Sequence, residues 1–147
     1  MTRTISAPPT TGDVGFLLAK ASQHFNEVLT ARFAARGFGE IRAAYGSVLV
    51  PLFEQDGLRL GELAARARLS KQAITGLVSR CEADGLVERA RDDADGRAFN
   101  VRLTARGGAA RDMAAEVLDE LDTELVRRVG VRDRDALVRA LKGVMEL

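Results

Sequence analysis

The 147-residue chain holds a single cysteine (Cys81), a single histidine (His24), one tyrosine and three prolines. A lone cysteine forms no internal disulfide, which points to a reducing, intracellular, cytoplasmic setting. One His and one Cys leave no CxxC, HxxxH or other His/Cys spacing, so neither a metal nor a cofactor is expected. The signatures GxSxG, GxxxxGK[ST] and GxGxxG are missing, and with them any nucleophile elbow or phosphate cradle. Nothing here points to an enzyme. The opening MTRTISAPPT has one Arg and no apolar run, so no signal peptide is read there. The longest unbroken apolar run is Val48 to Phe53, against the roughly 20 residues that a membrane span needs. Lysine is scarce too: only Lys20, Lys71 and Lys142 among 22 basic residues. Arginine in its place suggests GC-rich coding and a bacterial source.

What is present is a globular composition. Hydrophobic residues make up 46%, charged residues 29%, and the mean hydropathy is -0.07. This excludes a disordered or fibrous chain, and the length suits one domain or two small lobes. A net charge of +1 excludes a uniformly basic coat but not a local basic surface.

Residues 1–12, with Pro8, Pro9 and Gly12, read as a mobile tail. Apolar positions then recur at three and four through Phe16, Leu17, Phe25, Val28, Leu29 and Phe33, the mark of a long amphipathic helix. Asp13 is its expected N-cap, and Gly37 and Gly39 punctuate its end. A second helix is predicted from about Glu40 to Gln55, with Pro51 kinking it or ending it early. Asp56-Gly57 is a turn. A short third helix runs from Leu60 to Arg68, with Leu63 and Ala67 inward. Ser70 can cap a fourth, KQAITGLVSRCEADG, which hides Ile74, Leu77, Val78 and Cys81 and ends at Gly85. The period then changes to two. Leu86–Ala90 and Ala98–Thr104 read as strands of a hairpin whose turn is the charged stretch Arg91–Arg97. Arg91 and Arg97 are expected to pair with some of the acids there. Helical spacing returns with Met113, Val117, Leu118, Leu121 and Leu125 up to Gly130. Asp133 is the expected cap of a last helix carrying Leu137, Val138, Leu141 and Val144. The fold class is therefore mainly α with a small β-hairpin.

Helix, tight turn, helix, hairpin is an arrangement that leaves one side of the second helix free. The major groove of B-DNA, about 12 Å wide, accepts one helix. Ser70 and Lys71 stand at the helix N-terminus, where free N–H groups favour a phosphate. Gln72 can bond a base edge twice, and Thr75 offers a hydroxyl and a methyl. Gly76 permits close approach, Ser79 lies on the same face, and Arg80 can reach a phosphate or pin the helix internally. At the hairpin tip, Arg97 suits a narrow, electronegative minor groove, and Asp95 is placed to orient it. The plainer readings are a solvated helix face and an ordinary surface ion pair. Residues 59–106 carry 10 basic and 7 acidic residues, a balance of +3, against -2 for the rest. That modest asymmetry agrees with a DNA-facing lobe.

The stretch LRLGELAARARLSKQAITGLVSRCEADGLVERARDDADGRAFNVRLTARG resembles the winged-helix core of the MarR family of bacterial transcription regulators. The resemblance lies in ELA of the first helix, SKQAITGLVSR of the recognition helix, DGLVER leading into the wing, and DGR followed by VRLTARG. All of them in this order and spacing are specific, and the flanking helices fit as well.

The resemblance implies a winged helix-turn-helix over residues 40–104, with residues 13–39 and 105–147 forming a helical dimerisation region. It implies a homodimer that reads a pseudo-palindromic operator in double-stranded DNA, acts as a repressor, and is released by a small aromatic or phenolic effector. His24, Arg42 and Tyr45 are the candidate effector contacts by helix register. A plain reading of His24 is a polar residue at a helix interface. Cys81 is either a buried small hydrophobe or, as in some members of the family, an oxidation sensor. The winged helix could also serve protein–protein contact. The chain departs from the family where Arg59 replaces a Ser or Thr cap, Cys81 a Leu, and Gly76 a larger polar residue. The first departure predicts a loosely held helix start.

Overall fold

The computed structural model describes residues 7–92 and 95–147, with the side chains of residues 92–97 outside the description. The chain is helical for most of its length. Helix α1 spans Val14–Ala35, a 3-10 turn Ala43–Tyr45 leads into α2 (Gly46–Glu54), and α3 (Leu60–Ala67) and α4 (Lys71–Ala83) follow. Strands β1 (Leu58–Arg59), β2 (Val87–Asp92) and β3 (Asp95–Leu103) form one antiparallel sheet in the order β1-β3-β2. Helices α5 (Ala105–Val129) and α6 (Val131–Val144) close the chain. No helix among the described residues is long and apolar enough to cross a membrane.

The core lies under the helix-turn-helix. Val48 and Leu52 of α2, Leu63 of α3, and Ile74, Val78 and Cys81 of α4 pack with Leu86 of the following loop and with Val87 and Val101 of the sheet, all essentially inaccessible. The first half of α5 joins them through Ala110, Met113, Ala114 and Val117. Polar ties hold the base of the sheet and the start of α5 in place. Asp56 accepts the N–H of Gly57 at 3.0 Å and that of Leu103 at 2.8 Å. The Thr104 hydroxyl donates to the Gly85 carbonyl (2.6 Å) and accepts the Gly107 N–H (3.1 Å), which caps α5. The Arg106 guanidinium lies 3.7 Å above the centre of the Phe38 ring while bonding Glu40 at 2.8 Å. That partner holds the Glu40 carboxyl below its ordinary value, against a smaller opposing effect of burial.

Several expectations are corrected. The second helix starts later, because Arg42 is extended and the chain first makes a 3-10 turn. Pro51 is buried inside α2 and lacks the N–H that would reach back one turn; the helix stops three residues later. Asp13 stands at the N-cap, but its carboxylate takes the Thr10 N–H upstream (2.7 Å) and caps nothing in α1. Helix α6 begins at Val131, so Asp133 falls within its first turn and Gly130 is the cap. Gly130 adopts φ +87°, and this left-handed residue joins α5 to α6 without a loop. Both hairpin strands extend into the charged stretch read as a turn, because ladder pairing such as Arg91 with Phe99 outweighs its polar composition. Strand β1 was not expected: two residues show no period. The start of α3 is held after all. Glu62 in its first turn accepts the Arg59 backbone N–H at 3.2 Å.

Much apolar surface stays outside the core. Phe16, Leu17 and Phe25 of α1 are each more than 40% exposed, and no residue of α6 is buried. The C-terminal half of α1 is fastened to α5 by ion pairs, Arg32 to Glu124 (2.7 Å) and Arg36 to Glu116 (3.0 Å) and Glu120.

Candidate nucleic-acid interface

The turn between α3 and α4 is built by Arg68, which adopts the left-handed φ of +55°, and by the Leu69 N–H bonding back to the Ala64 carbonyl (3.1 Å). Ser70 then caps α4, its Oγ accepting the Ala73 N–H at 3.1 Å. This places α4 across α3 with Ile74, Leu77, Val78 and Cys81 sealed below it. The opposite side is open. Lys71, Gln72, Ser79 and Arg80 are exposed, and Thr75 and Gly76 are half-buried.

The chemistry of that face differs from residue to residue. Among the described residues, Lys71 and Arg80 have no ion-pair partner, so Arg80 does not pin the helix internally. The Thr75 hydroxyl donates to the Lys71 carbonyl at 2.7 Å, leaving its lone pairs and methyl for other contacts. At Gly76 a Cβ would meet only the tip of Arg80, at 3.8 Å. No internal packing therefore demands glycine there. The Ser79 Oγ accepts from Arg89 of β2 at 3.0 Å, which engages it with the sheet. That engagement was not legible from helix spacing. Asp95 and Arg97 have their backbones in β3, but their side chains lie outside the described residues, as does the pairing expected of Arg91 and Arg97 with the acids of the tip.

Cys81 is fully buried, and desolvation pushes its thiol up to about 12. A thiolate, the species that peroxide oxidises, is suppressed at neutral pH.

The structure brings Arg42 and Tyr45 within hydrogen-bonding reach of each other but leaves His24 apart. Tyr45 is in the core and donates to Asp84 at the end of α4 (2.5 Å); this bond, then burial, raises its phenol above the ordinary value. His24 lines an open hollow between α1 and α5, with Arg32, Glu124 and Arg128. Arg42 lines a different, small hollow of about 70 Å³ among α1, α2 and α5, otherwise walled by apolar groups such as Leu29, Phe53, Val50 and Leu118. Those wall residues come from three separate helices, and their convergence has no signature in the local sequence. Among the described residues no group of His, Cys, Asp and Glu could hold a metal ion.

A family model for the MarR family matches residues 51–98, the segment from α2 through the hairpin. The chain is similar to the HTH-type transcriptional repressor YetL of Bacillus subtilis, 36% identical over 90 residues. That alignment covers 60% of this chain and 52% of YetL, so the match spans about half of the relative's length. A MarR-family transcriptional regulator from Rhodococcus sp. RHA1 has a similar structure: TM-score 0.68, 26% identity, covering 95% of this chain and 96% of that one. The transcriptional repressor CouR, solved bound to a 23-mer DNA duplex, superposes with TM-score 0.77 over 95% of this chain and 99% of its own, at 24% identity. These relatives are transcription regulators rather than enzymes.

Proposed function

Since the chain belongs to the MarR family of winged helix-turn-helix transcription regulators, we propose that it is a homodimeric, sequence-specific binder of double-stranded DNA. Its role in this reading is that of a cytoplasmic repressor released by a small-molecule effector. The observation that carries DNA binding is the free face of α4. A capped helix N-terminus, two cations without an ion-pair partner among the described residues and a bidentate amide project together from the body of the protein. Lys71 and the first N–H groups of α4 engage a phosphate, Gln72 and Thr75 read base edges, and Arg80 grips the flanking backbone. Ser70 caps the helix while its hydroxyl proton remains free to donate. Gly76 lets a base or sugar approach the helix backbone. Arg97, oriented by Asp95, enters the adjacent minor groove.

The exposed apolar stripes of α1 and α6 support pairing with a second copy, since contiguous apolar surface of this kind marks an interface. Residues 13–39 and 105–147 supply that interface, and residues 40–104 the DNA-binding part. Two-fold pairing sets the α4 helices about 34 Å apart, one turn of DNA. A flat apolar acid is placed against the small Arg42 hollow: its apolar walls cover one face of a ring, and its one cation meets a carboxylate. The ligand is then a small aromatic or phenolic acid. Its occupancy shifts α1, α2 and α5 relative to one another, and with them the spacing of the recognition helices. His24, outside that hollow, takes no part in it. The burial of Cys81 favours this switch over an oxidative one. The polar, basic-leaning face of α4 favours DNA over a protein partner.

Fluorescence anisotropy with DNA from upstream of the protein's own gene tests the reading. Binding tighter than to random duplex, weakening steeply with salt, is expected. Equal affinity for promoter and random DNA would contradict it.

A further inference from the structure

Among the described residues, the hydrogen bonds from α4 side chains to the sheet converge on one residue, Arg89 of β2. Its backbone N–H donates to Glu82 Oε2 (3.2 Å) and its guanidinium Nη2 to Ser79 Oγ (3.0 Å). A second guanidinium nitrogen lies 3.9 Å from Glu82 Oε1, and the group stacks 5.4 Å from the centre of the Phe99 ring on β3. Arg89 pairs with buried Val101 and follows buried Val87 by two residues, so it occupies the core-facing side of the sheet. A cation on that side, its side chain only 33% exposed, is held because both strands and the helix supply it with partners.

We propose that Arg89 is a positioning residue that locks the wing to the recognition helix and thereby sets the spacing between the two DNA contacts. The inference rests on the DNA-binding reading above. The geometry gives the reason. Asp56 and Thr104 fasten the hairpin at its base, and beyond them it is a two-stranded lever. A tip roughly 17 Å out, about five residues at about 3.3 Å each, moves about 3 Å for a swing of about 10°. That displacement exceeds what a groove contact tolerates. Arg89 ties the lever outward of its base, on the side facing α4. Arginine is suited to this where lysine is not. Its planar fork bonds Ser79 and faces Glu82 at once while its flat surface covers Phe99.

The test is anisotropy on upstream DNA with full-length Arg89→Ala, Arg89→Lys, Arg97→Ala and the Arg89→Ala/Arg97→Ala double variant. Thermal melting and size-exclusion establish the folding and assembly of each. Arg97→Ala is expected to weaken binding about tenfold, the scale of one groove contact. Arg89→Ala weakens it to a similar degree, Arg89→Lys fails to restore it, and the double variant is no weaker than the weaker-binding single. A double variant whose losses multiply, with rescue by Lys, makes Arg89 a direct phosphate contact and overturns the proposal. Glu82→Ala keeps the question answerable should Arg89→Ala not fold. Loss of an acid strengthens DNA binding by charge alone, whereas loss of a wing tether weakens it several-fold; strengthening overturns the proposal. Wild type that prefers no promoter fragment refutes the regulator reading and this inference with it. Wild type that binds, with Arg89→Ala its equal, overturns the positioning role alone.

Discussion

Two adjacent glycines at the start of α5 are expected to respond to alanine with opposite signs. A Cβ built on Gly107 lies 2.1 Å from the Leu86 carbonyl oxygen and 3.1 Å from Leu103 Cδ2. The oxygen belongs to the backbone and already accepts the Thr104 N–H at 3.1 Å. Making room requires the first turn of α5 to move away from the loop joining α4 to β2, against the Thr104 hydroxyl that ties both. Overpacking costs about 1–3 kcal/mol, and a loosened hydrogen bond adds about 1 kcal/mol. The better helix propensity of alanine offsets up to about 1 kcal/mol. Gly107→Ala therefore destabilises by about 2 kcal/mol, a fall of roughly 4–8 °C in Tm for a chain of this size. At Gly108 nothing lies within 4 Å of the added Cβ. Gly108→Ala only restricts the unfolded chain and stabilises by about 0.4–1 kcal/mol. Melting followed by circular dichroism at one fixed protein concentration reads both, since assembly makes Tm concentration-dependent. Gly107→Ala melting at or above wild type, or both variants shifting the same way, would refute the close approach of α5 to Leu86.

Other expectations concern the site and its surroundings. Lys71→Ala and Arg80→Ala should each weaken binding to all duplexes alike and reduce the salt dependence by about one phosphate contact, read as the slope of log affinity against log salt. Cys81 should resist a thiol reagent until the protein unfolds. Its folded pKa of about 12 stands above the ordinary 9.0, so the unfolded state loses the proton first. The stability this contributes is complete below about pH 9 and is lost as pH rises toward 12. Cys81→Ala should accordingly flatten the alkaline limb of stability against pH in denaturant titrations. Arg42→Ala should abolish the effect of benzoate on operator affinity; an undiminished response would exclude the hollow beside Arg42 as the effector site.

The recognition helix was legible because several local signals agree there. Ser70 caps it, Ile74, Leu77, Val78 and Cys81 repeat at helical spacing, and Gly85 follows its end with φ +77°. The apolar stripes of α1, α5 and α6 were legible for the same reason. What stayed hidden depends on contacts between distant segments. β1 is a strand only because Leu58 meets Val101. The hairpin is longer than its composition suggests because its charged residues pair across the ladder. Tyr45 points away from the hollow because the 3-10 turn before α2 carries it into the core toward Asp84, a residue 39 positions away. Arg89 reads as one more surface charge until Ser79, Glu82 and Phe99 are seen around it. Position in a strand records which side of the sheet Arg89 is on, but not which helix lies beneath.

The most direct measurement is to capture fragmented DNA from the source genome on the purified full-length protein and sequence what is retained. Two copies presenting α4 to one side of a duplex should enrich an inverted repeat whose half-sites lie about 10 base pairs apart, centre to centre. Recovery of fragments in proportion to their abundance, or of a single half-site with no inverted partner, would contradict paired recognition helices as the basis of what this protein does.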